Sequence, residues 1–386
     1  MTLEFEPERG FGIYLHWPYC AKICPYCDFN VYAAKSRDTA PLVSALRHDL
    51  THWRKLTGPR QVDSIFFGGG TPSLLPPAQI SELIAHIKSH WGLAEGAEIT
   101  LEANPDDMSR FEGAADAGVT RLSLGVQSLQ DDELRFLGRN HDAGLARKAI
   151  EEARRRFASL SVDFIYAFPE QTIEDWLRAL DEALLLDADH LSLYELTIEP
   201  GAAFARAVAR KNWTPADEDM AADLYELTQA KTDAAGYPAY EISNHARGAA
   251  HQSRHNRIYW RSGDWVGVGP GAHGRLTIDG ARRGYVAQKR PGDYQDQISA
   301  HGNGIAETEQ LSIKDVAVER LIMGLRMSEG LARSDIESLT GQRMPAADLD
   351  RLGDEGLLVA TQDHIHLTAQ GRLLADHVAA RLIDTL

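Results

Sequence analysis

The chain has 386 residues, 56 acidic against 40 basic side chains and a formal charge of −16, with 44% hydrophobic and 25% charged residues. That balance is the one of an ordinary globular protein and excludes a disordered chain; the negative charge argues against a nucleic-acid partner, which needs clustered Lys and Arg. The length exceeds what one hydrophobic core usually supports, so a barrel-sized domain with an added module is expected.

The first residues, MTLEFEPERGFGIYLHW, show no basic stretch followed by an apolar core, and no run of about 18 apolar residues occurs anywhere. Neither a secretory signal nor a membrane span is expected, and the cytoplasm is the expected compartment. From residue 12 to about 200 one unit repeats. Short β-branched runs (12–18, 62–70, 98–104, 121–127, 161–169 and 190–196) alternate with segments such as 42–56, 78–91 and 173–186, whose apolar residues recur at three and four. This alternation predicts an α/β fold: a partial or full parallel βα barrel. Polar residues close the strands, with Cys20 after the first, Gly68 to Thr71 after the second, Glu102 and Asn104 on the third, Gln127 on the fourth, Asp163 within the fifth and Glu195 on the sixth. Chemistry in a barrel collects at this rim.

Every cysteine lies in CAKICPYCDF, as Cys20, Cys24 and Cys27. In a reducing compartment that spacing reads as a metal site. A closed zinc site would need a fourth ligand such as His16 or Asp28, whereas an iron–sulfur cluster on three thiolates leaves one iron open. Aromatic residues Trp17, Tyr19, Tyr26 and Phe29 interleave the loop and suit a water-shielded cluster.

Beyond residue 200 the stretch 236–274 is rich in Gly, His and aromatics and reads as a strand and long loops. The periodicity returns at 311, where helix, strand, turn, strand, helix predicts a small winged-helix-like domain. Its eight basic residues against twelve acidic ones oppose a DNA-reading role. The expected divisions are 1–245 for the barrel, 246–310 for the His- and aromatic-rich segment, and 311–386 for the last domain.

CxxxCxxC after the first strand, followed by FFGGGTP after the second, resembles the radical S-adenosylmethionine proteins. Nearly the whole chain is similar to the family that holds oxygen-independent coproporphyrinogen III dehydrogenases and the HemW-like haem chaperones, through YLHWPYCAKICPYCDF, FFGGGTPSLL, EANPD, GVQSLQDDELRFLGRNHD and VDFIYAFPEQT. The resemblance implies a [4Fe–4S] cluster on Cys20, Cys24 and Cys27. It also implies S-adenosylmethionine among Tyr14, Gly69, Gly70, Thr71, Glu102, Gln127, Arg139 and Asp163. In that family the open iron takes the amino and carboxylate groups of the methionine moiety.

Two features separate the branches. The dehydrogenases resemble CxxxCxxCxC, and here Phe29 stands at the last position. HNRIYW, residues 255–260, is similar to the HNxxYW motif of the HemW-like chaperones and implies haem as cargo, with His255 as candidate iron ligand and Tyr259 and Trp260 as flat faces for the porphyrin. His245, His251 and His273 are alternative ligands. The reading that follows is a haem chaperone delivering to haem-requiring clients, some of them respiratory proteins at the inner membrane face, with a homodimer and, where S-adenosylmethionine is cleaved, an electron donor as further partners. A tetrapyrrole-modifying radical enzyme and a metal-stabilised nucleic-acid binder are the alternatives.

Overall fold

The computed structural model describes residues 2–34 and 38–386. Its first strand, β1 (Phe11–Trp17), sets the pattern for the domain. Phe11, Ile13, Leu15 and Trp17 are buried on one side among the helices, and Gly12, Tyr14 and His16 fall on the other by the period of two. The same alternation runs through β2 (Val62–Gly69), β3 (Leu93–Ala103), β4 (Arg121–Gln127), β5 (Ser159–Tyr166) and β6 (His190–Glu195). These are the six strands expected from the sequence, all paired in parallel in the order β1 to β6.

The helices between them, α1 (Ala40–Thr57), α2 (Pro77–Trp91), α3 (Ala143–Arg156) and α4 (Ile173–Leu185), bury Leu42, Leu46, Leu83, Ile87, Ile150, Trp176 and Leu180 in the core that covers the outer face of the strands. A further helix, α5 (Glu218–Ala234), precedes β7 (Asn244–Ala246), which pairs antiparallel to β6 and forms one edge. On the other side of β1 lies β8 (Asp264–Val268), parallel to it, followed by the antiparallel β9 (His273–Ile278), β10 (Ala281–Ala287) and β11 (Ile305–Gln310). The eleven-stranded sheet runs from β11 to β7, and among the described residues its two edges do not pair, so the barrel is partial.

The stretch 236–274 departs from the expected strand and loops. Arg254–Trp260 is a helix, α6, whose Ser253 caps it by accepting the Asn256 N–H at 3.3 Å. Buried His255 and Ile258, three residues apart, face the sheet, a spacing too short to register as a helical period in so aromatic a stretch. The last domain keeps its own apolar core, built from α7 (Ile313–Arg326), a three-stranded sheet and the helices Ser334–Thr340, Ala346–Asp354 and Ala375–Ile383.

Asp264 secures the junction between the parallel and antiparallel halves. Only 3% exposed, it accepts from Arg60 at 2.6 Å, from Arg282 at 3.0 Å, and from both the N–H and hydroxyl of Thr277 at 2.6 and 3.0 Å. Removing it leaves the Arg60 guanidinium buried without a counter-charge and Arg282 with only Glu319 at 3.6 Å. Asp264→Ala is expected to cost about 3–5 kcal/mol, read as a lower midpoint in denaturant unfolding.

Candidate functional site

Past β1 the chain turns through Pro18 into a two-residue strand, Tyr19–Cys20, paired with Tyr32–Ala33. The loop between these pieces carries Cys24 and Cys27. It is stitched to the end of β2 by two backbone bonds, from Gly70 N–H to Trp17 O at 2.7 Å and from Thr71 N–H to Tyr19 O at 2.9 Å. The glycines are required by this closeness. A Cβ on Gly70 would lie 2.7 Å from the Tyr19 carbonyl oxygen, and one on Gly69, which has φ +107°, would lie 2.6 Å from the His16 ring. His16 itself is engaged by the Tyr14 hydroxyl and the Asn30 carbonyl, both at 3.0 Å.

Cys20, Cys24 and Cys27 line one cavity of about 540 Å³ together with Gly69, Gly70, Thr71, Glu102, Gln127, Arg139 and Asp163. Residues from β2 through β6 thus meet around a single space. Strands about 4.8 Å apart can do this only if the sheet curls, which places the sequence-expected residues together at its rim. Tyr14 stands beside this space rather than in its wall, its ring 6.1 Å from Phe66 and 6.2 Å from His255. Gln127 reaches the cavity from a register shift between β4 and β5, with φ 70°.

Three observations bear on what the cavity can hold. Burial raises the Cys20 thiol above its usual range and pushes Cys27 up to about 11, with neighbouring thiols adding to both shifts. Thr71 hydrogen-bonds Cys20, and Arg139 donates to Cys24 Sγ at 3.4 Å while its other nitrogen donates to Gly125 O at 2.8 Å and to Asn104 Oδ1. Among the described residues no three His, Cys, Asp or Glu side chains are disposed to grip a single metal ion. Three thiols around one cavity are a donor set suited to a polynuclear iron–sulfur cluster, and the buried guanidinium beside Cys24 favours the thiolate form that such a cluster takes.

Deeper in, two carboxyl groups wait for a cation. Burial, and then Asp163, raises Glu102 to about 8, although the Gly69 N–H at 3.0 Å pulls it back. Burial likewise raises Asp163 to about 6 against the hydroxyls of Ser192, Ser123 and Ser161. A ligand bringing an ammonium or sulfonium group would relieve both.

HNRIYW is placed differently. His255 is 2% exposed, with Nδ1 2.7 Å from Ser64 Oγ, Nε2 2.7 Å from Tyr259 OH, and its ring stacked on Phe66; burial lowers it to about 3. Trp260 turns away from the cavity and packs with Tyr240, Ala246 and Met327, under the Arg326 guanidinium at 4.6 Å. His245 is fully buried beside Thr232, while His251 and His273 lie nearer the surface. The residues of this segment that do line the cavity are Ser253 and Asn256, which the sequence reading passed over, as it did Arg121 and His190 at the cavity base. Alternating serines in β5 and β6 were the one available signal that these strands face a polar interior. Phe29, 59% exposed, stands at the cavity mouth near Ile23.

The raised carboxyls give a pH test. A folded-state value of about 8 for Glu102, against the usual 4.5, means that the folded chain keeps a proton the unfolded chain has lost, so stability falls as pH rises between those values. In protein free of cluster and ligand, Glu102→Gln is expected to melt higher than the parent at pH 8.5 and level with it at pH 4.5, measured by thermal unfolding.

Comparison with known proteins places this geometry. Residues 14–183 match the family profile of the Radical SAM superfamily and residues 311–374 that of the HemN C-terminal domain. The chain is 37% identical to heme chaperone HemW of Mycobacterium tuberculosis, over 98% of this chain and 96% of that protein. It is 35% identical to the mitochondrial radical S-adenosyl methionine domain-containing protein 1 of Bos taurus, over 97% and 88%. Among solved structures, coproporphyrinogen III oxidase (HemN) from Escherichia coli, a radical SAM enzyme, superposes with a TM-score of 0.80 at 25% identity, covering 99% of this chain and 92% of that one. The chain belongs to the radical SAM superfamily, in the family of HemW-like proteins that carry a HemN-type C-terminal domain.

Proposed function

We propose that this protein is a haem chaperone: it binds haem and passes it to haem-requiring clients, with a [4Fe–4S] cluster held by Cys20, Cys24 and Cys27 and S-adenosylmethionine in the barrel. The observation that carries the choice over a dehydrogenase is Phe29, an exposed apolar side chain at the cavity mouth where the dehydrogenases resemble a further cysteine. The relatives named heme chaperone HemW support the same choice.

In this reading Cys20, Cys24 and Cys27 would hold the cluster, which when bound would supply an open iron for a chelating ligand and a route for electrons. Arg139, fixed by Gly125 O and Asn104, holds positive charge beside Cys24 and faces a carboxylate. Glu102 and Asp163 take the cationic part of the cofactor, and Glu102, raised to about 8, gives up its proton as it binds. Gly69, Gly70 and Thr71 bring backbone close to the ligand, Gln127 completes the wall, and Tyr14 acts from behind it through His16, which packs against Gly69. Haem transfer demands no bond cleavage, so S-adenosylmethionine serves as a structural or regulatory ligand.

For haem itself the geometry favours the mouth. Phe29 and Ile23, 59% and 43% exposed, offer apolar contact there. His255 reaches iron only by giving up Ser64 or Tyr259, and Trp260 only by leaving its contact with the last domain. Client proteins meet the haem at the same mouth. No described helix is long and apolar enough to cross a membrane.

The test uses anaerobically reconstituted protein in a haem titration followed by Soret absorbance, with a coproporphyrinogen turnover assay on the same sample. Stoichiometric haem binding without decarboxylation is expected; turnover without tight haem binding would overturn the chaperone reading. Phe29→Ser is expected to weaken haem binding about tenfold, the scale of one lost aromatic contact. His255→Gln, which preserves hydrogen bonding, is expected to retain haem, and loss of the Soret shift in that variant would make His255 the ligand.

A further inference from the structure

Beneath the two carboxyls a chain of hydrogen bonds crosses the barrel. Ser161 Oγ lies 3.5 Å from Asp163 Oδ1 and 2.7 Å from His190 Nδ1; His190 Nε2 lies 2.9 Å from Tyr240 OH; Asn256 Nδ2 lies 3.3 Å from the same hydroxyl. His190 and Tyr240 are 1% and 2% exposed, so each of their polar atoms must find its partner within this chain.

The direction of the bonds follows from one end. Asp163 can only accept when ionised, so Ser161 donates to it and accepts from His190 Nδ1–H. A neutral imidazole protonated on Nδ1 has a bare Nε2, which takes the Tyr240 proton. The Tyr240 oxygen then accepts from the Asn256 amide N–H. With one N–H of its amide on Tyr240, Asn256 has its side-chain carbonyl, as well as its second N–H, left over on a residue that lines the cavity.

We propose that Asn256 is a ligand-reading residue, presenting a fixed acceptor to an N–H or O–H donor on the adenosine part of S-adenosylmethionine. Haem at neutral pH carries no such donor, because its pyrrole nitrogens bind iron and its propionates are ionised; the adenine amine and the ribose hydroxyls are donors. The HNRIYW segment thereby serves the nucleoside through its Asn. His255 is a positioning residue, tying the helix to Ser64 on β2, and Trp260 ties the other end to Met327. Glu329 adds to that hold through Arg261 at 2.5 Å. This inference rests on the reading that the cavity takes S-adenosylmethionine.

The test measures S-adenosylmethionine affinity of the cluster-loaded full chain by anaerobic equilibrium dialysis, with haem affinity by Soret titration alongside. Asn256→Ala is expected to weaken S-adenosylmethionine binding about 5- to 30-fold, the effect of one lost buried hydrogen bond, and to leave haem affinity within twofold. As a check that does not depend on how the variant folds, the parent is titrated with analogues bearing N6,N6-dimethyladenine or a deoxyribose. One of them should lose a similar factor with the parent and lose nothing further with Asn256→Ala. Equal affinities of parent and variant for S-adenosylmethionine, or equal analogue losses in both, would overturn the inference. A parent that binds no S-adenosylmethionine overturns the underlying reading as well.

Discussion

The polar inner face of the sheet is the constraint on which the rest of the molecule depends. Strand alternation sends Ile, Leu, Val and Phe outward to the helices, and the residues that face inward include Ser64, Glu98, Thr100, Glu102, Arg121, Ser123, Ser161, Asp163, His190 and Ser192. Such groups are costly to bury without partners. Near the base the protein pairs most of them itself: Arg121 donates through Nε to Glu98 at 2.7 Å and through Nη2 to the His251 carbonyl at 2.8 Å, leaving Nη1 without a partner, and Glu98 also accepts the Arg254 N–H at 3.0 Å. Near the rim Glu102 and Asp163 face one another with hydroxyls, one backbone amide and, acting on Asp163, the Arg139 guanidinium for company. The contrast is functional: a base tied by an ion pair, and a rim where two buried carboxyls share one guanidinium already engaged by Asn104 and Gly125.

Helix α6 closes the base and joins it to the last domain. One side of the helix meets β2 through His255, another meets the cavity through Asn256, and a third meets the turn after α7 through Trp260, Arg257 and Arg261. Tyr240 belongs to both partnerships, since its hydroxyl serves His190 and Asn256 while its carbonyl accepts from the backbone and side chain of Ser328. The C-terminal domain is therefore part of what holds the cavity floor, although its own apolar core is separate.

The strands were legible in the sequence because burial on one face writes a period of two, and the cysteines because three thiols in eight positions have few other uses. Rim residues such as Glu102, Gln127 and Asp163 were legible because polar side chains at successive strand ends have a common destination in a curled sheet. Helix α6 was not, since seven residues give too little period to outweigh a stretch rich in Gly and aromatics. The direction of its side chains was beyond reach for a further reason. A motif names residues, and in HNRIYW the neighbouring His255 and Asn256 point to opposite uses, one into a buried contact with Ser64 and the other to the cavity. The chain from Ser161 through His190 and Tyr240 to Asn256 joins residues 29, 50 and 16 positions apart, and no local pattern records such a path.

Phe29 ties the cavity to the outside. A cysteine at this position would add a fourth thiol to a mouth where burial and mutual repulsion already raise Cys20 and Cys27. Phenylalanine instead leaves an apolar face in water, next to Ile23 on the same loop. The loop that bears it follows Trp17 and Tyr19, whose carbonyls accept from Gly70 and Thr71 at the strand end that lines the cavity. A flat apolar ligand resting on Phe29 would thus sit against the thiol loop, and its arrival and departure would be felt first by the residues around Cys20, Cys24 and Cys27.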